Sequence, residues 1–356
     1  MSTSLVGTRD SWPELPWRDW EPTISTLHMW VQVVGKVRMT LTPPLNHWWH
    51  VPLYVSARGL TTSAIPYASG QFQVDFDFID HHLQVTDSQG GSFTMPLEPK
   101  SVARFYREFF EGLQSLGIEV RISTRPVEVA DAISFESDEQ HASYDPSQVQ
   151  LFWRGLLQAE RVMKAFQTRF VGKASPVHFF WGSFDLAATR YSGRPAPLHP
   201  GGVPNAPDWV MEEAYSREES SIGWWPASQA PGPAFYSYTY PEPNGYRSAS
   251  IRPAEAWFDE RLGEFLLPYD VVRRAADPDA VAVEFFQSTY EVGADLSGWD
   301  RSALEPAALP ENPPNRPWST TDSVTLSRAH EDAPSANPAS VNRVHRHESR
   351  DRHRDR

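Results

Sequence analysis

Residues 72–85 read FQVDFDFIDHHLQV, and in them Phe72, Val74, Phe76 and Phe78 alternate with Gln73, Asp75 and Asp77. Successive side chains of a strand point to opposite faces, so this spacing predicts a β-strand with one apolar and one wet face. A sheet buried on one side only is characteristically antiparallel, which sets the fold class. Asp75 and Asp77 are expected on its solvated face.

Upstream, Ile24, Leu27, Val31, Val34, Val37 and Leu41 recur at spacings of three and four, which predicts a helix. Residues 47–66, HWWHVPLYVSARGLTTSAIP, read as a strand pair bending near Arg58 and Gly59. Downstream, GSFTMPLEP at 91–99 reads as a further strand. Pro99 then opens a helix with Val102, Phe105, Tyr106, Phe109, Leu113 and Leu116 inward, ended by Gly117. A similar order returns later. Val149, Phe152, Trp153, Leu156, Met163 and Phe166 mark a helix, and residues 178–197, 234–243 and 263–270 read as strands. A helix capped at Asp277 follows, with Val281, Phe285 and Phe286 inward.

Two anchors suggest an internal duplication. His47-Trp48-Trp49 aligns with His178-Phe179-Phe180, and the 91–98 segment aligns with 263–270. The expected fold is therefore α+β: two fused, duplicated units, 1–130 and 131–306, each an antiparallel sheet of about four strands with flanking helices. The second unit carries an extra Pro/Gly-rich segment near 194–233. Residues 307–356, rich in proline and ending VHRHESRDRHRDR, are expected to be a disordered tail.

Composition narrows the function classes. With 356 residues, 40% hydrophobic and 13% aromatic, the chain can bury a large core. A net charge of −13 argues against phosphate-backbone binding, so no nucleic-acid partner is expected. The absence of cysteine excludes disulfides, thiolate metal sites and a cysteine nucleophile. The opening residues lack a basic region followed by an apolar run, and no stretch predicts a membrane span; a soluble, cytoplasmic protein is the expectation. There is no phosphate loop, dinucleotide fingerprint, GxSxG, HExxH or EF-hand pattern, so the commonest hydrolase and calcium readings lack support, and the cofactor is unknown from sequence.

The candidate site residues are His178, as the proton-transfer group, and His47, Trp49, Arg58, Asp185, Arg194 and His199 as ligand-binding groups. His47 and His178 each begin an apolar strand face, His178 followed by Phe180, Gly182, Phe184 and Leu186. They are either satisfied core histidines or the two walls of one cavity. On a strand His47 and His50 point to opposite faces, which weighs against a chelating pair. Arg58 or Arg194 would hold an anionic group. The 192–209 segment, with Arg194, His199 and Asn205, is either a site loop or a rigid cover over the sheet edge. Asp208 is placed to cap a surface helix running through Glu212, Glu213, Glu218 and Glu219. Tyr236, Tyr238 and Tyr240 share a strand face and are either core volume or a stacking surface. Three functions follow. The first is a small-molecule-binding protein, with or without catalysis, whose aromatic, histidine-bearing pocket lies between the halves. The second is a non-catalytic interaction module using the tail. The third is a metal-dependent enzyme in which His47, His178 or His199 joins Asp185 or a glutamate of 212–219.

The chain resembles a bacterial family described only as a domain of unknown function. The resemblance rests on TLHMWVQVVGKVR (26–38), the 43–66 segment, QVDFDFIDHHL (73–83), the 175–205 segment, EEAYSREESS (212–221), AFYSYTYPEP (234–243) and GEFLLPY (263–269). It spans roughly Trp12 to Leu304 and implies no activity. The family is expected to carry a histidine in 212–221, where this chain has Arg217, which weighs against a metal ligand there.

Overall fold

The computed structural model describes residues 11–68, 70–226 and 232–305. The expected tail, 307–356, lies outside them, as do residues 227–231 of the extra segment.

The helix predicted upstream runs as α1, Trp17–Leu41, and every residue from Met29 to Arg38 is buried. It is thus an interior helix rather than an amphipathic surface one. Beside it lies a first antiparallel sheet of six strands: β1 (Tyr54–Val55), β2 (Gly59–Thr61), β3 (Ile65–Tyr67), β4 (Gly70–Asp77), β5 (His82–Asp87) and β6 (Ser92–Pro96). Their order is β1-β2-β4-β5-β6, with β3 also on β4. Phe72, Val74, Phe76 and Phe78 are all buried, as the alternation requires. Helix α2 (Val102–Ser115) covers this sheet, and Phe105 stacks on Trp30 of α1 at 4.9 Å.

The second antiparallel sheet also has six strands: β7 (His178–Phe180), β8 (Asp185–Pro195), β9 (Arg217–Trp225), β10 (Ala234–Tyr240), β11 (Trp257–Asp259) and β12 (Glu264–Pro268). Their order is β11-β12-β10-β9-β8-β7. Helices α3 (Pro146–Gln167) and α6 (Pro278–Leu296) pack on the face carrying Arg190, Trp224 and Phe235. Short helices α4 (Asp208–Ala214), α5 (Tyr269–Arg274) and α7 (Arg301–Leu304) complete the described chain. The sheets meet where Leu53 and Phe179 exchange backbone hydrogen bonds of 2.9 Å. Phe152 of α3 fills the junction, its ring centroid 5.4–6.4 Å from those of Trp20, Phe78, Phe179 and Phe184. Among the described residues no helix is long and apolar enough to cross a membrane.

Several local expectations are corrected. Each sheet has six strands, not about four. The expected strand pair over 47–66 gains β3, and the single strand expected over 72–85 turns at 78–81 into β4 and β5. The 178–197 segment splits into β7 and β8, and β9 and β11 were not expected as strands. Residues 46–48 form a single 3-10 turn with His47 at φ 55 and Trp48 at φ 59, so the strand face expected to start at His47 does not exist. A turn at 181–184 splits 178–195 into a hairpin; His178 pairs with Ala187, and Leu186 lies on the opposite face, paired with Phe179. The two histidine segments therefore differ in conformation, whereas the other pair of anchors, β6 and β12, are both five-residue strands. Helix α2 opens at Val102 rather than at Pro99, with Ser101 capping it by accepting from the Arg104 N–H. The helix expected through 208–219 stops at Ala214, and Glu218 and Glu219 belong to β9. Asp77 is only 7% exposed, because it ends β4 by accepting from the Ile79 and Asp80 N–H groups and from Arg58.

Gly35 makes the packing of α1 testable. A Cβ there would lie 2.4 Å from the Trp181 indole. Gly35→Ala is expected to destabilise the fold by about 1–3 kcal/mol, the usual range for overpacking, read as a lower urea midpoint with an unchanged m-value.

Candidate functional site

The face of the second sheet turned away from α3 and α6 is polar, and its registers define it. His178 stands opposite Ala187, Ala187 opposite Gly223, and Gly223 opposite Tyr236. The next row holds Thr189, Ser221 and Tyr238, and the one after it Tyr191, Glu219 and Tyr240. Asp185 joins the face opposite Phe180, and Glu264 joins it opposite Asp259. Small residues thus form the middle of the face, with His178 on one side and tyrosines on the other. A Cβ on Gly223 would lie 2.1 Å from the Tyr236 ring, so the phenol crosses the glycine and donates to Asp185.

Three irregular segments cover this face and tie one another down. The 46–50 turn is held when His47 Nδ1 donates to the Ala214 carbonyl at 2.8 Å and Trp48 Nε1 donates to Val210 at 3.0 Å. The 125–129 segment is held to α1: Lys36 donates to the Arg125 carbonyl at 2.7 Å, and Gln32 exchanges bonds of 2.9 and 3.0 Å with Val127. It is also held to the 196–207 connection, where Asn205 accepts from Arg125 at 2.8 Å and Glu128 N–H donates to Pro204 at 2.8 Å. Glu128 then lies over Gly182, where a Cβ would stand 2.1 Å from its carboxylate. Tyr215, just after α4, brings its hydroxyl to 3.0 Å from that of Tyr238.

Beneath this cover the carboxylates are held far from their ordinary state. Burial pushes Asp185 up to about 6, although Ser183 and Tyr236 donate to it. Burial and the nearby Asp185 charge push Glu128 to about 7 and Glu264 to about 8. Glu219, 4% exposed, is raised well above its usual value by burial; its Oε1 receives the Tyr238 hydroxyl at 3.5 Å and its Oε2 has no partner. Among the described residues no basic side chain lies within ion-pair distance of any of the four. Perturbed carboxylates gathered on one covered face are what functional sites show.

The sequence-predicted residues fall into three groups. His47, Trp49 and His178 do come together: the Trp49 ring is 5.7 Å from His47 and 6.0 Å from His178. Asp185 shares their sheet face, and His199 lies at its far rim, its ring 4.5 Å from Tyr215. Arg58 and Arg194 stand apart, Arg58 paired with Asp77 and Asp80, Arg194 with Glu218 and the carbonyls ending α6. His178 is held near 4 by burial and by Arg38, so it is neutral at pH 7. Among the described residues one group has metal-ligand spacing, Asp77, Asp80 and His82, and it contains none of the predicted histidines. Sequence reading missed Glu128, Lys173, Tyr215 and Glu264, and offered Glu219 only as one glutamate of a helix over 212–219. The alternation in β10 and the Arg217-x-Glu219-x-Ser221 pattern carried part of the signal, and Glu128 had none.

A family model covers residues 12–306, and the chain belongs to that family, described as a family of unknown function (DUF5996). No curated protein and no solved structure shows significant similarity to the chain.

The raised carboxylates predict a pH dependence. Above the ordinary carboxylate value the native state binds protons that the unfolded chain has lost, so stability falls as pH rises through the window ending near 7 for Glu128 and near 8 for Glu264. The buried neutral histidines act in the opposite sense, but only below their ordinary 6.5. Between about pH 6.5 and 8 the urea midpoint is therefore expected to decline. Glu264→Gln is expected to remove much of that decline, measured by parallel titrations of the two proteins.

Proposed function

We propose that this protein binds a small organic cation, an ammonium or guanidinium compound, on the covered face of the second sheet. The observation that supports this reading is Glu219, a buried carboxylate with a free oxygen and no basic group within ion-pair distance, only the longer-range charge of Lys173, on the face that also holds Glu128, Asp185 and Glu264. An unpaired buried carboxylate is costly unless it is protonated or paired, and an incoming cation supplies the missing pair. Tyr215, Tyr236 and Tyr238 add aromatic faces, Tyr236 and Tyr238 being stacked at 6.3 Å, and such faces attract cations. Asp185, near 6 and receiving the Tyr236 hydroxyl, supplies acid–base capacity beside the bound molecule. The two-unit reading belongs to the same proposal: Glu128 comes from 1–130 and the other acids from 131–306.

The test is thermal denaturation and calorimetry with putrescine, agmatine and tetramethylammonium, with calcium as a hard-cation control. At a hundredfold excess over its dissociation constant a ligand stabilises by about 2.7 kcal/mol, so one organic cation is expected to raise the midpoint by several degrees. Binding at pH 7 is expected to expel protons, making the enthalpy depend on the buffer. Glu219→Gln should remove the response. No response to any organic cation, a response to calcium alone, or an unchanged response in Glu219→Gln would overturn the reading.

A further inference from the structure

The opposite end of the same sheet face has the opposite chemistry. His178 on β7 is 1% exposed, and neither ring nitrogen has a hydrogen-bond partner. Arg38, in the last turn of α1, is 6% exposed; one Nη donates to the Thr62 carbonyl, and Nε has no partner. Among the described residues no carboxylate lies within ion-pair distance of Arg38. Tyr54 of β1 packs against both, its ring 5.9 Å from the Arg38 guanidinium and 5.7 Å from the His178 ring. Trp49 and Phe180 complete the surround at 6.0 and 5.4 Å from His178. Other titratable groups face this end as well: buried His50, which feels Arg38 and Glu213; Lys173, 5.0 Å from the Trp49 ring, which feels Glu213 and Glu219; and Asp185, which stands opposite Phe180 and takes the Ser183 and Tyr236 hydroxyls.

A buried guanidinium without a counter-ion and a buried imidazole without any partner are each costly, and here they occur together. One small oxyanion compensates both. Its oxygens accept from Arg38 and from the N–H of a neutral His178. We infer that Arg38 and His178 form an anion site at the junction of the two sheets, for a carboxylate carried on an apolar body or for a free inorganic oxyanion. The ring of Trp49, Tyr54 and Phe180 matches the apolar body of an aromatic carboxylate. Charge-assisted bidentate pairing is the usual way an arginine takes such a group. The site lies three strands, roughly 14 Å at about 4.8 Å per strand, from Tyr236, and anions alone probe it without reference to the amine reading.

The experiment follows the His178 ring signals by NMR in the full chain during titration with benzoate, acetate and inorganic phosphate, repeats it with Arg38→Gln, and titrates His178→Phe with the same anions by calorimetry. The expected result is saturable displacement of the His178 resonances, strongest with benzoate, and a loss of affinity of about 10- to 100-fold in Arg38→Gln, the range for a charged hydrogen bond. Should Arg38→Gln fail to fold, His178→Phe preserves the aromatic packing, and its benzoate affinity by calorimetry is expected to fall similarly. Displacement by phosphate but not benzoate keeps the site and assigns it to inorganic anions. No displacement of His178 by any of the three, or affinity unchanged in the folded variants, overturns the inference.

Discussion

Helix α1 is buried through its middle yet carries His28, Gln32 and Lys36 at successive helical turns, and the need to satisfy these groups organises the rest of the molecule. No neighbouring helix or strand has free backbone groups to offer them. Irregular chain does. His28 donates to the Gly182 carbonyl at 2.9 Å, Gln32 brackets Val127, and Lys36 takes the Arg125 carbonyl. The interior helix thereby fixes the turn that joins β7 to β8 and the segment that crosses above it. Glu128 is placed by this arrangement, over a glycine that leaves it room.

Covering a sheet face with irregular chain has an electrostatic consequence. Side chains that an open antiparallel sheet would show to water are taken out of it, and burial is the first cause of every large shift on this face. The face is also divided by charge. Glu219, Glu264 and the tyrosines of β10 occupy the β9–β12 side, Asp185 and Glu128 stand at the β7–β8 turn, and His178 and Arg38 lie at the sheet junction. Gly223, Ala187, Ser221 and Thr189 between them present little side-chain bulk.

Much of the fold was legible because its elements follow simple periods. The 72–78 alternation, the 149–166 stripe and the Asp277 cap all appear where the pattern puts them. Failures came where one residue changes the backbone. His47 and Trp48 both adopt positive φ, which no alternation of apolar residues reveals, and the turn at 181–184 is built from residues that also read as strand. The end of α4 was missed because EEAYSREESS has good helix formers throughout; β9 prevails because Ser220, Ile222 and Trp224 pair into the middle of the sheet. Arg58 and Arg194 were sound guesses by residue type, but each is taken up by acids away from the histidines, Arg58 by Asp77 and Asp80 and Arg194 by Glu218.

The sequence by itself determined the class of the fold, the order of its main helices and strands, and which residues share a strand face, since these depend on periods of two and 3.6 that neighbouring residues impose. Tertiary structure alone decided that the tyrosine face of β10 is covered, that Glu128 and Glu264 each meet the charge of Asp185, and that Arg38 and His178 share Tyr54. Those meetings join residues far apart in the chain, and the charge states they impose arise from desolvation, which belongs to the cover and not to any local stretch of sequence.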